Sequence, residues 1–324
     1  MRKLKRFFVT GGAGFIGSSF IRFLLARDDV ERVINFDLLT YAGTLKNVEG
    51  CERDPRYRFI HGDILNQSFV EELLKEEKID TLVHFAAESH VDRSIACARP
   101  FVEVNVLGTL SLLEAVKKNS SIHFHQISTD EVFGALGEEG FFSETSPYQP
   151  NSPYSASKAG ADHLVRAFTH TYNLSTTISH SSNNYGPGQH TEKLIPLVIS
   201  NCLQNLPLPI YGQGRNVRDW LYVEDHAEAI FLILQKGRRG ESYNVGGNSQ
   251  LPNIELIHLL IELLAEAKGV SKTSYQGLIR FVEDRPGHDF RYAVDTSKIE
   301  NELGWKVKTS LSKGIAHTIE WYLV

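Results

Sequence analysis

The sequence predicts an α/β fold in which helices cover both faces of a parallel sheet. Short β-rich runs alternate with helical stretches, a glycine-rich segment joins the first strand to the first helix, and an acidic residue ends the second strand. Helices between successive strands are typical of βαβ units, which give parallel pairing. We therefore expect a Rossmann-type doubly wound parallel sheet, followed by a smaller α/β C-terminal lobe.

The predicted elements follow one another in order along the first half of the chain. Runs of β-branched and aromatic residues predict strands at residues 6–10, 32–36, 81–85 and 122–128. Apolar residues at helical spacing predict helices at residues 15–26, 69–77, 101–118 and 154–172. A further strand is expected to end at Asp63, ahead of the helix that begins at residue 69.

The pattern loosens from about Asn183, where glycine and proline interrupt it repeatedly. Later helices, predicted at residues 223–235, 253–268 and 311–322, are separated by irregular segments. We interpret residues 1–182 as the domain built on the parallel sheet. Residues 183–324 then form mainly a smaller lobe that closes a cleft, with the chain crossing between the lobes.

Composition and charge exclude several classes of protein. The 324 residues are 42% hydrophobic and 23% charged, with a formal net charge of -5, whereas a dominant surface for nucleic acid or anionic membrane needs a basic balance. No apolar run approaches the roughly eighteen residues of a spanning helix, and the first residues lead into a strand rather than a signal peptide. We expect a cytoplasmic protein without nucleic-acid or membrane partners.

Cysteine and histidine are not spaced for a disulfide framework or a metal site. Cys51, Cys97 and Cys202 are far apart, and the histidines show no His-Glu-x-x-His pattern. We therefore expect no protein-held metal, and infer that the chemistry needs an organic cofactor.

The glycine-rich segment, Gly11-Gly12-Ala13-Gly14-Phe15-Ile16-Gly17, follows the first strand and opens the first helix. Glycines there let the backbone approach phosphates, whose charge the helix N-terminus stabilises. Asp37 lies about twenty residues further on, where a carboxylate can accept hydrogen bonds from a ribose diol and would repel a 2′-phosphate. The two features predict a dinucleotide site that favours NAD over NADP.

Two further strand ends carry residues compatible with the same cofactor. Asp63 can hydrogen-bond an adenine amine, and the small residues of Phe85-Ala86-Ala87 let a nucleotide pass close to the backbone. Each signal is weak alone, since Asp63 could equally be a turn residue. Parallel strands bring these ends to one edge of the sheet, and together they support a single cofactor site.

Two clusters carry groups for acid–base chemistry, namely Ser128-Thr129-Asp130-Glu131 and Tyr154-Ser155-Ala156-Ser157-Lys158. A Tyr and a Lys four apart share a helix face, and a nearby ammonium favours the phenolate, so Tyr154 can take a proton from a sugar hydroxyl. Asp130 and Glu131 add a second acid–base pair, able to remove a proton and expel water. The clusters predict oxidation followed by elimination; a solvated pair of carboxyls is the structural alternative.

At these motifs the chain resembles the dTDP-glucose 4,6-dehydratases, a branch of the extended short-chain dehydrogenase/reductase superfamily. The similar segments cover nearly the whole sequence, at residues 86–94, 128–134, 154–159, 182–187, 192–196, 216–226 and 285–289. The triplet Thr129-Asp130-Glu131 is the specific part. Related nucleotide-sugar epimerases keep the Tyr and Lys but lack the carboxyl pair, and related UDP-glucuronate decarboxylases lack the Asp.

The resemblance implies a reaction in which Tyr154, assisted by Thr129 and Lys158, deprotonates the glucose 4-hydroxyl while a hydride moves from C4 to NAD. Glu131 would then remove the C5 proton, and Asp130 would protonate the C6 hydroxyl as it leaves as water. Return of the hydride to C6 would give a 4-keto-6-deoxy sugar nucleotide and regenerate a tightly held NAD.

The expected binding residues form two sets. The NAD-binding set is Gly11, Gly14, Phe15, Ile16, Gly17, Asp37, Leu38, Thr40, Asp63, Ile64, Phe85, Ala86, Ala87, Ser89, Tyr154, Lys158 and Asn184. The resemblance implies substrate contacts at Ser89, Thr129, Asn183, Glu192, Lys193, Arg218, Asn253 and Arg285. An ion-paired surface Arg218 and a solvated Lys193 are the structural alternatives. These sets make residues 1–182 an NAD-binding domain that carries the catalytic residues, and residues 183–324 mainly a substrate-binding lobe for a nucleotide sugar.

The chain departs from the family pattern beside the sugar. Gly188-Gln189-His190-Thr191 replaces a stretch that often contains aromatic residues and proline, Phe133 stands where Tyr is common, and Leu38 where Lys is common. No catalytic group is lost. The choice between thymidine and uridine carriers stays open, because one methyl and one 2′-hydroxyl change the binding free energy little.

The expected substrate is dTDP-glucose, with UDP-glucose or another nucleotide-diphosphate glucose as the nearest alternative. A 4-epimerase, which would use Tyr154 and NAD but neither carboxyl, is a further alternative. A non-catalytic NAD-binding sensor would be expected to lose Tyr154 or Lys158. A homodimer is also expected, because the helices at 101–118 and 154–172 carry apolar positions on more than one face, and the corresponding helices of the family form a four-helix interface.

Overall fold

A computed structural model describes Arg2 and residues 4–323, and its largest feature is a seven-stranded parallel sheet. The strands are β1 (Arg6–Thr10), β2 (Arg32–Asp37), β3 (Tyr57–His61), β4 (Thr81–His84), β5 (His123–Thr129), β6 (Ser175–Ser181), β7 (Asn183–Tyr185), β8 (Leu208–Tyr211), β9 (Val217–Tyr222), β10 (Ser242–Val245), β11 (Gln250–Pro252) and β12 (Ile279–Val282). The helices are α1 (Phe15–Leu25), α2 (Gln67–Glu76), α3 (Val91–Ala96), α4 (Arg99–Phe101), α5 (Thr109–Lys117), α6 (Pro153–Tyr172), α7 (Leu194–Leu203), α8 (Val223–Lys236), α9 (Asn253–Lys268), α10 (Lys272–Gln276), α11 (Ser297–Leu303) and α12 (Leu311–Leu323).

The strand order of the large sheet is β10-β6-β5-β4-β1-β2-β3, and every pairing in it is parallel. β1 pairs with both β2 and β4, so the direction of winding reverses there. In a doubly wound sheet, this reversal leaves a crevice at the carboxyl ends of the strands. The predicted fold class is confirmed.

Helices cover both faces of this sheet, so β4, β5 and β6 are buried almost continuously rather than in alternation, even where their residues are polar. Phe8 on β1 packs into a cluster with Leu112 and Val165, from α5 and α6. The next residue along β1, Phe7, points to the other face and packs with Ile21 of α1 and Ile230 of α8. Successive side chains of one strand thus hold helices on opposite faces.

The helix predicted at residues 101–118 is not one regular α-helix. α4 continues into a π-helical segment, Val102–Gly108, before α5 begins. The wider turn includes Asn105, a buried residue whose amide bonds to the backbone of Glu88. The predicted helix is present, but its π-helical segment was not foreseen, because local spacing does not report a contact with a segment seventeen residues away.

The second half of the chain returns to the large sheet. β10 pairs with β6 at the edge of the sheet, and α8 packs against α1, where the Phe23 and Phe231 ring centres lie 5.6 Å apart. The Arg27 guanidinium lies 4.0 Å from the Phe231 ring centre, which covers this contact. Segments from both halves therefore support the same sheet.

The smaller lobe contains two short sheets and its own apolar core. β9 lies between β11 and β7, antiparallel to the first and parallel to the second, while β8 pairs with β12 in parallel. Tyr185 and Trp220 from these strands pack with α7, α9 and α12, through residues such as Ile199, Leu260 and Ile315.

Within the described chain, no helix combines the length and the apolar character that crossing a bilayer requires.

Candidate active site

A cleft of about 350 Å³ lies at the carboxyl ends of the parallel strands. Its lining comes from the segments that follow β1 to β5, from α6 and from residues 181–193. It brings together every residue of the predicted NAD-binding set and all the predicted catalytic residues. Glu88, Gln189 and His190, which were not predicted, also line it.

The glycine-rich segment after β1 approaches the end of β4 closely. Gly11 has a φ of +68°, and a Cβ atom there would lie 2.5 Å from the Ala86 backbone nitrogen. A Cβ at Gly17 would lie 2.3 Å from the Gly11 carbonyl oxygen. Gly14 precedes α1 and has no side chain to cap it, so the first N–H groups of this 11-residue helix stay open to the cleft. This cradle fits the pyrophosphate of a dinucleotide.

The carboxylate of Asp37 is held at the edge of the cleft. It accepts hydrogen bonds from the backbone N–H groups of Ala13, at 2.9 Å, and Leu39, at 2.8 Å. Both oxygens keep a lone pair, which suits a ribose diol. β3 and β4 end at His61 and His84, slightly earlier than predicted, but Asp63 and Phe85 still line the cleft.

The carboxyl pair Asp130 and Glu131 begins a short 3₁₀ turn, Asp130–Phe133, directly after β5. The Thr129 hydroxyl caps this turn, accepting from the Glu131 N–H at 3.3 Å and donating to Asp130 Oδ1 at 3.3 Å. Asp130 is only 2% exposed, and its Oδ2 has no hydrogen-bond partner in the described part of the chain. The alternative of a solvated carboxyl pair is therefore wrong.

α6 carries Tyr154 and Lys158 one turn apart, both buried. Ser152, just before the helix, forms a capping box with Ser155, which fixes where α6 begins. The Lys158 ammonium donates a hydrogen bond to the Ile127 carbonyl oxygen at 2.7 Å. This bond ties α6 to the end of β5 and places Tyr154 beside the carboxyl pair.

Burial and neighbouring charges shift the pKa values of the two carboxyls by different combinations of causes. Burial raises the pKa of Asp130 well above its usual range, and the charge of Glu131 raises it further. Burial also raises the pKa of Glu131, but the positive charges of Arg218 and Arg285 oppose that rise. Asp130 is thus suited to hold a proton at neutral pH, and Glu131 to accept one.

Burial affects both members of the Tyr154–Lys158 pair. Burial and the charge of Glu131 raise the pKa of Tyr154, and burial lowers the pKa of Lys158 to about 8. Desolvation opposes the charged form of both groups, so the effect that an ammonium at Lys158 has on the Tyr154 phenolate stays a prediction.

The predicted substrate-binding residues divide into two groups. Those that line the cleft are Ser89, Thr129, Asn183, Glu192 and Lys193, and those outside its lining are Arg218, Asn253 and Arg285. Lys193 Nζ donates to the Ser89 carbonyl oxygen at 3.1 Å, so this lysine is fixed at the cleft.

Arg218 is buried rather than a surface ion-pair partner. Its guanidinium donates to the carbonyl oxygens of Val217, at 2.8 Å, and Asp289, at 3.0 Å, and lies 4.3 Å from the Tyr292 ring centre. Arg285 pairs with Asp92 at 3.0 Å. The alternative proposed for Arg218 is therefore wrong, and its charge acts from inside the smaller lobe.

Asn253 begins α9, and its Oδ1 is buried without a hydrogen-bond partner among the described residues. A second cavity, of about 420 Å³, lies nearby in the smaller lobe, with a lining that was not predicted: Gln213, Arg215, Asn216, Asp284, His288 and Phe290. Asn216 Nδ2 donates to the Asp289 carbonyl oxygen at 3.2 Å, which also accepts from Arg218. This cavity therefore adjoins the buried arginine.

Asn105 is a site-supporting residue that the sequence analysis missed. Its Oδ1 accepts from the Glu88 N–H at 2.9 Å, and its Nδ2 donates to the Glu88 carbonyl oxygen at 3.0 Å and to Ser157 Oγ at 2.8 Å. It thus joins the segment after β4 to α6. Its place in the sequence gives no local signal of this role, because the predicted helix contains several other polar residues. Among the described side chains, no group of three or more His, Cys, Asp or Glu could hold a metal ion.

Comparisons with known proteins agree with one another. The family model described as GDP-mannose 4,6 dehydratase matches residues 8–318. The chain is 51% identical over 328 residues to the dTDP-glucose 4,6-dehydratase of Xanthomonas campestris pv. campestris strain B100, covering 97% of this chain and 92% of that protein.

Solved structures share the fold. The dTDP-glucose 4,6-dehydratase of Streptomyces venezuelae, with NAD and dTDP bound, is 47% identical with a TM-score of 0.92, covering 98% of this chain and 97% of that one. The UDP-glucose 4-epimerase of Thermotoga maritima, with UDP-glucose, is 27% identical with a TM-score of 0.88, covering 98% of each chain. Since both match over nearly the whole chain, the fold alone does not separate the two activities.

Replacing Gly11 by Ala should weaken NAD binding by about tenfold or more. The left-handed φ costs a non-glycine residue about 1–2 kcal/mol, and the new methyl would meet the Ala86 backbone. Gly137→Ala is the matched control, because no described atom lies within 4 Å of a Cβ placed there. Calorimetric titration of both variants with NAD measures the difference; equal affinities would contradict the assigned cradle.

Proposed function

This chain belongs to the GDP-mannose 4,6-dehydratase family, and we propose that it dehydrates dTDP-glucose to dTDP-4-keto-6-deoxyglucose with tightly bound NAD. Relatives about 50% identical carry the name of that activity, and a related structure holds NAD and dTDP. The reaction oxidises C4, eliminates water across C5 and C6, and returns the hydride to C6. The protein is accordingly a hydro-lyase.

The observation that carries the proposal is the carboxyl pair beside Tyr154. Oxidation at C4 needs only a base for the hydroxyl, whereas elimination needs a proton acceptor and a proton donor on adjacent carbons. Asp130 keeps its proton because it is buried, and Glu131 lies where cations favour its charged form. A 4-epimerase has no use for either carboxyl.

The side chains divide the steps between them. Tyr154 takes the proton of the C4 hydroxyl, with the Thr129 hydroxyl beside it. NAD, when bound, supplies the acceptor for the C4 hydride and the donor that returns it to C6. Glu131 removes the C5 proton, which the C4 ketone has acidified, and Asp130 gives its proton to the departing C6 hydroxyl. The proton on Glu131 then returns to C5, and release of the C4 hydroxyl proton from Tyr154 to solvent compensates the proton that Asp130 takes up from solvent, so protons balance.

We assign the substrate's diphosphate to the basic side chains of the second half. Lys193, Arg218 and Arg285 each lower the pKa of Glu131, so their charges converge on one end of the cleft. A guanidinium fork suits a diphosphate. The remaining assigned contacts are Ser89, Asn183, Glu192 and Asn253. Residues 183–324 are then mainly the substrate lobe, although α8 and β10 support the NAD-binding sheet of residues 1–182.

We also infer a cytoplasmic homodimer. Ile95, Val102 and Leu107 lie on consecutive helical segments and are 42%, 48% and 47% exposed. Clustered apolar exposure of this kind is typical of protein interfaces. The acidic net charge supports a cytoplasmic protein without nucleic-acid or membrane partners.

Incubation of the purified protein with dTDP-glucose, without added NAD, should yield a product lighter by one water. In deuterated water the product should carry deuterium at C5, because Glu131 exchanges its proton with solvent. Mass spectrometry checks both, with UDP-glucose as the comparison substrate and faster turnover expected for dTDP-glucose. An unchanged mass together with a galactose product would leave the 4-epimerase as the function.

Glu131→Gln should lower dehydration by at least about a hundredfold while still allowing C4 oxidation. Gln keeps the shape of the side chain but cannot take the C5 proton. Single-turnover absorbance of reduced cofactor separates the two steps, and Tyr154→Phe is the control that should block both. If Glu131→Gln dehydrates at the wild-type rate, Glu131 is not the base.

Val102→Asp should dissociate the homodimer, because it places a charge in the inferred interface. Val270→Asp is the matched control, since Val270 is 45% exposed on a different part of the chain. Light scattering at micromolar concentration is expected to give the mass of two chains for wild type and control, and of one for Val102→Asp. A monomeric wild type would rule the homodimer out.

A further inference from the structure

α6 carries a third buried ionisable residue, Asp162, one turn beyond Lys158 and two turns beyond Tyr154. Its Oδ2 accepts hydrogen bonds from Ser128 Oγ at 2.6 Å and from the Tyr148 hydroxyl at 3.1 Å. Its Oδ1 has no partner among the residues that the structure describes. A fully buried, half-satisfied carboxylate is costly, and such a group needs an explanation.

Titratable groups of β6 and α6 lie around this carboxylate. His180 of β6 places Nε2 3.3 Å from Asp162 Oδ2 and 2.6 Å from the Tyr148 hydroxyl. Arg166, on the next turn of α6, donates to the same hydroxyl at 3.3 Å. The other titratable groups around Lys158 and Tyr154 are Asp130, Glu131 and His84.

Asp162 is placed to act on both halves of the catalytic cluster. It lies on the helix that carries the Tyr154–Lys158 pair. Its partner Ser128 directly precedes Thr129 and the carboxyl pair at the end of β5. One buried carboxylate therefore touches both elements whose relative position defines the site.

We propose that Asp162 is a positioning residue, whose buried negative charge keeps Lys158 in its ammonium form beside Tyr154. This inference rests on the proposed function, in which Lys158 assists Tyr154. An ammonium stabilises the phenolate that Tyr154 needs to take the C4 proton, whereas a neutral amine does not.

Position and charge both support this role, since Lys158 and Asp162 lie four residues apart on one face of α6 and both are buried. Burial lowers the pKa of Lys158 to about 8, and the charge of Asp162 opposes that fall. Removing the charge would lower the pKa of Lys158 further, so that the amine becomes neutral at a lower pH. The loss of activity on removal of the Asp162 charge should therefore be largest at alkaline pH and small at acidic pH.

The first test is the pH profile of kcat for Asp162→Asn, which keeps the shape of the side chain. The fall of kcat at alkaline pH is expected to begin about one pH unit lower than in wild type. At alkaline pH, kcat should therefore fall about tenfold, and at mildly acid pH less than about threefold. KM should change little. Tyr148→Phe is the matched control, because it removes one hydrogen bond to Asp162 but keeps the charge. An equal loss at every pH would reduce Asp162 to a structural role and overturn the proposal.

A second measurement does not depend on turnover. Carbon NMR of lysines labelled at Cε, with the Lys158 signal assigned by Lys158→Arg, should show a lower titration midpoint in Asp162→Asn than in wild type. A shifted midpoint in a protein that cannot dehydrate dTDP-glucose would defeat the proposed function alone. Dehydration by wild type with an unmoved midpoint would defeat this inference alone.

Asp162→Glu tests the proposal if the Asp162→Asn variant does not fold. It keeps the charge while changing the hydrogen-bond geometry, so its alkaline limb is expected to match that of wild type even where its overall rate is lower. A limb displaced by this charge-conserving change would overturn the proposal.

Discussion

The hydrogen bond from the Lys158 ammonium to the Ile127 carbonyl oxygen joins the two elements on which the site depends. It holds α6 against β5 just before the strand ends in Thr129 and the carboxyl pair. Because both partners are buried, the bond forms in a medium of low dielectric, where it is strong and where an unpaired ammonium would be costly. The position of Tyr154 relative to Asp130 and Glu131 follows from this contact.

Burial also sets the chemistry of the cluster. Desolvation raises the pKa of Asp130, Glu131 and Tyr154 and lowers that of Lys158, so every group is pushed toward its neutral form. Cations from the smaller lobe offset this effect at Glu131. Two adjacent carboxyls therefore differ in how readily each holds a proton, because of a difference in surroundings rather than in type.

Much of the sheet-bearing half was predictable, because its signals are local. Glycine spacing, the acid after β2 and the four-residue separation of Tyr154 and Lys158 each act within one element or one turn. Less was predictable where a contact between distant segments intervened. Asn105 bonds to Glu88 within a π-helical turn that the apolar pattern did not reveal. β10 pairs with β6 after the chain has passed through the smaller lobe; a crossing between the lobes was expected, but no local signal gave its position.

The sequence by itself determined the doubly wound sheet, the dinucleotide cradle and the residues that meet in the cleft, since these depend on residue type, spacing and the parallel order of strands. Only the tertiary structure decided the burial, the hydrogen-bond partners and the pKa shifts of those residues. In this structure Lys158 donates to a backbone carbonyl, Arg218 is buried against Tyr292, and Asp162 accepts from Ser128 near the end of β5. Such features depend on desolvation and on contacts between distant segments, and no local pattern encodes either.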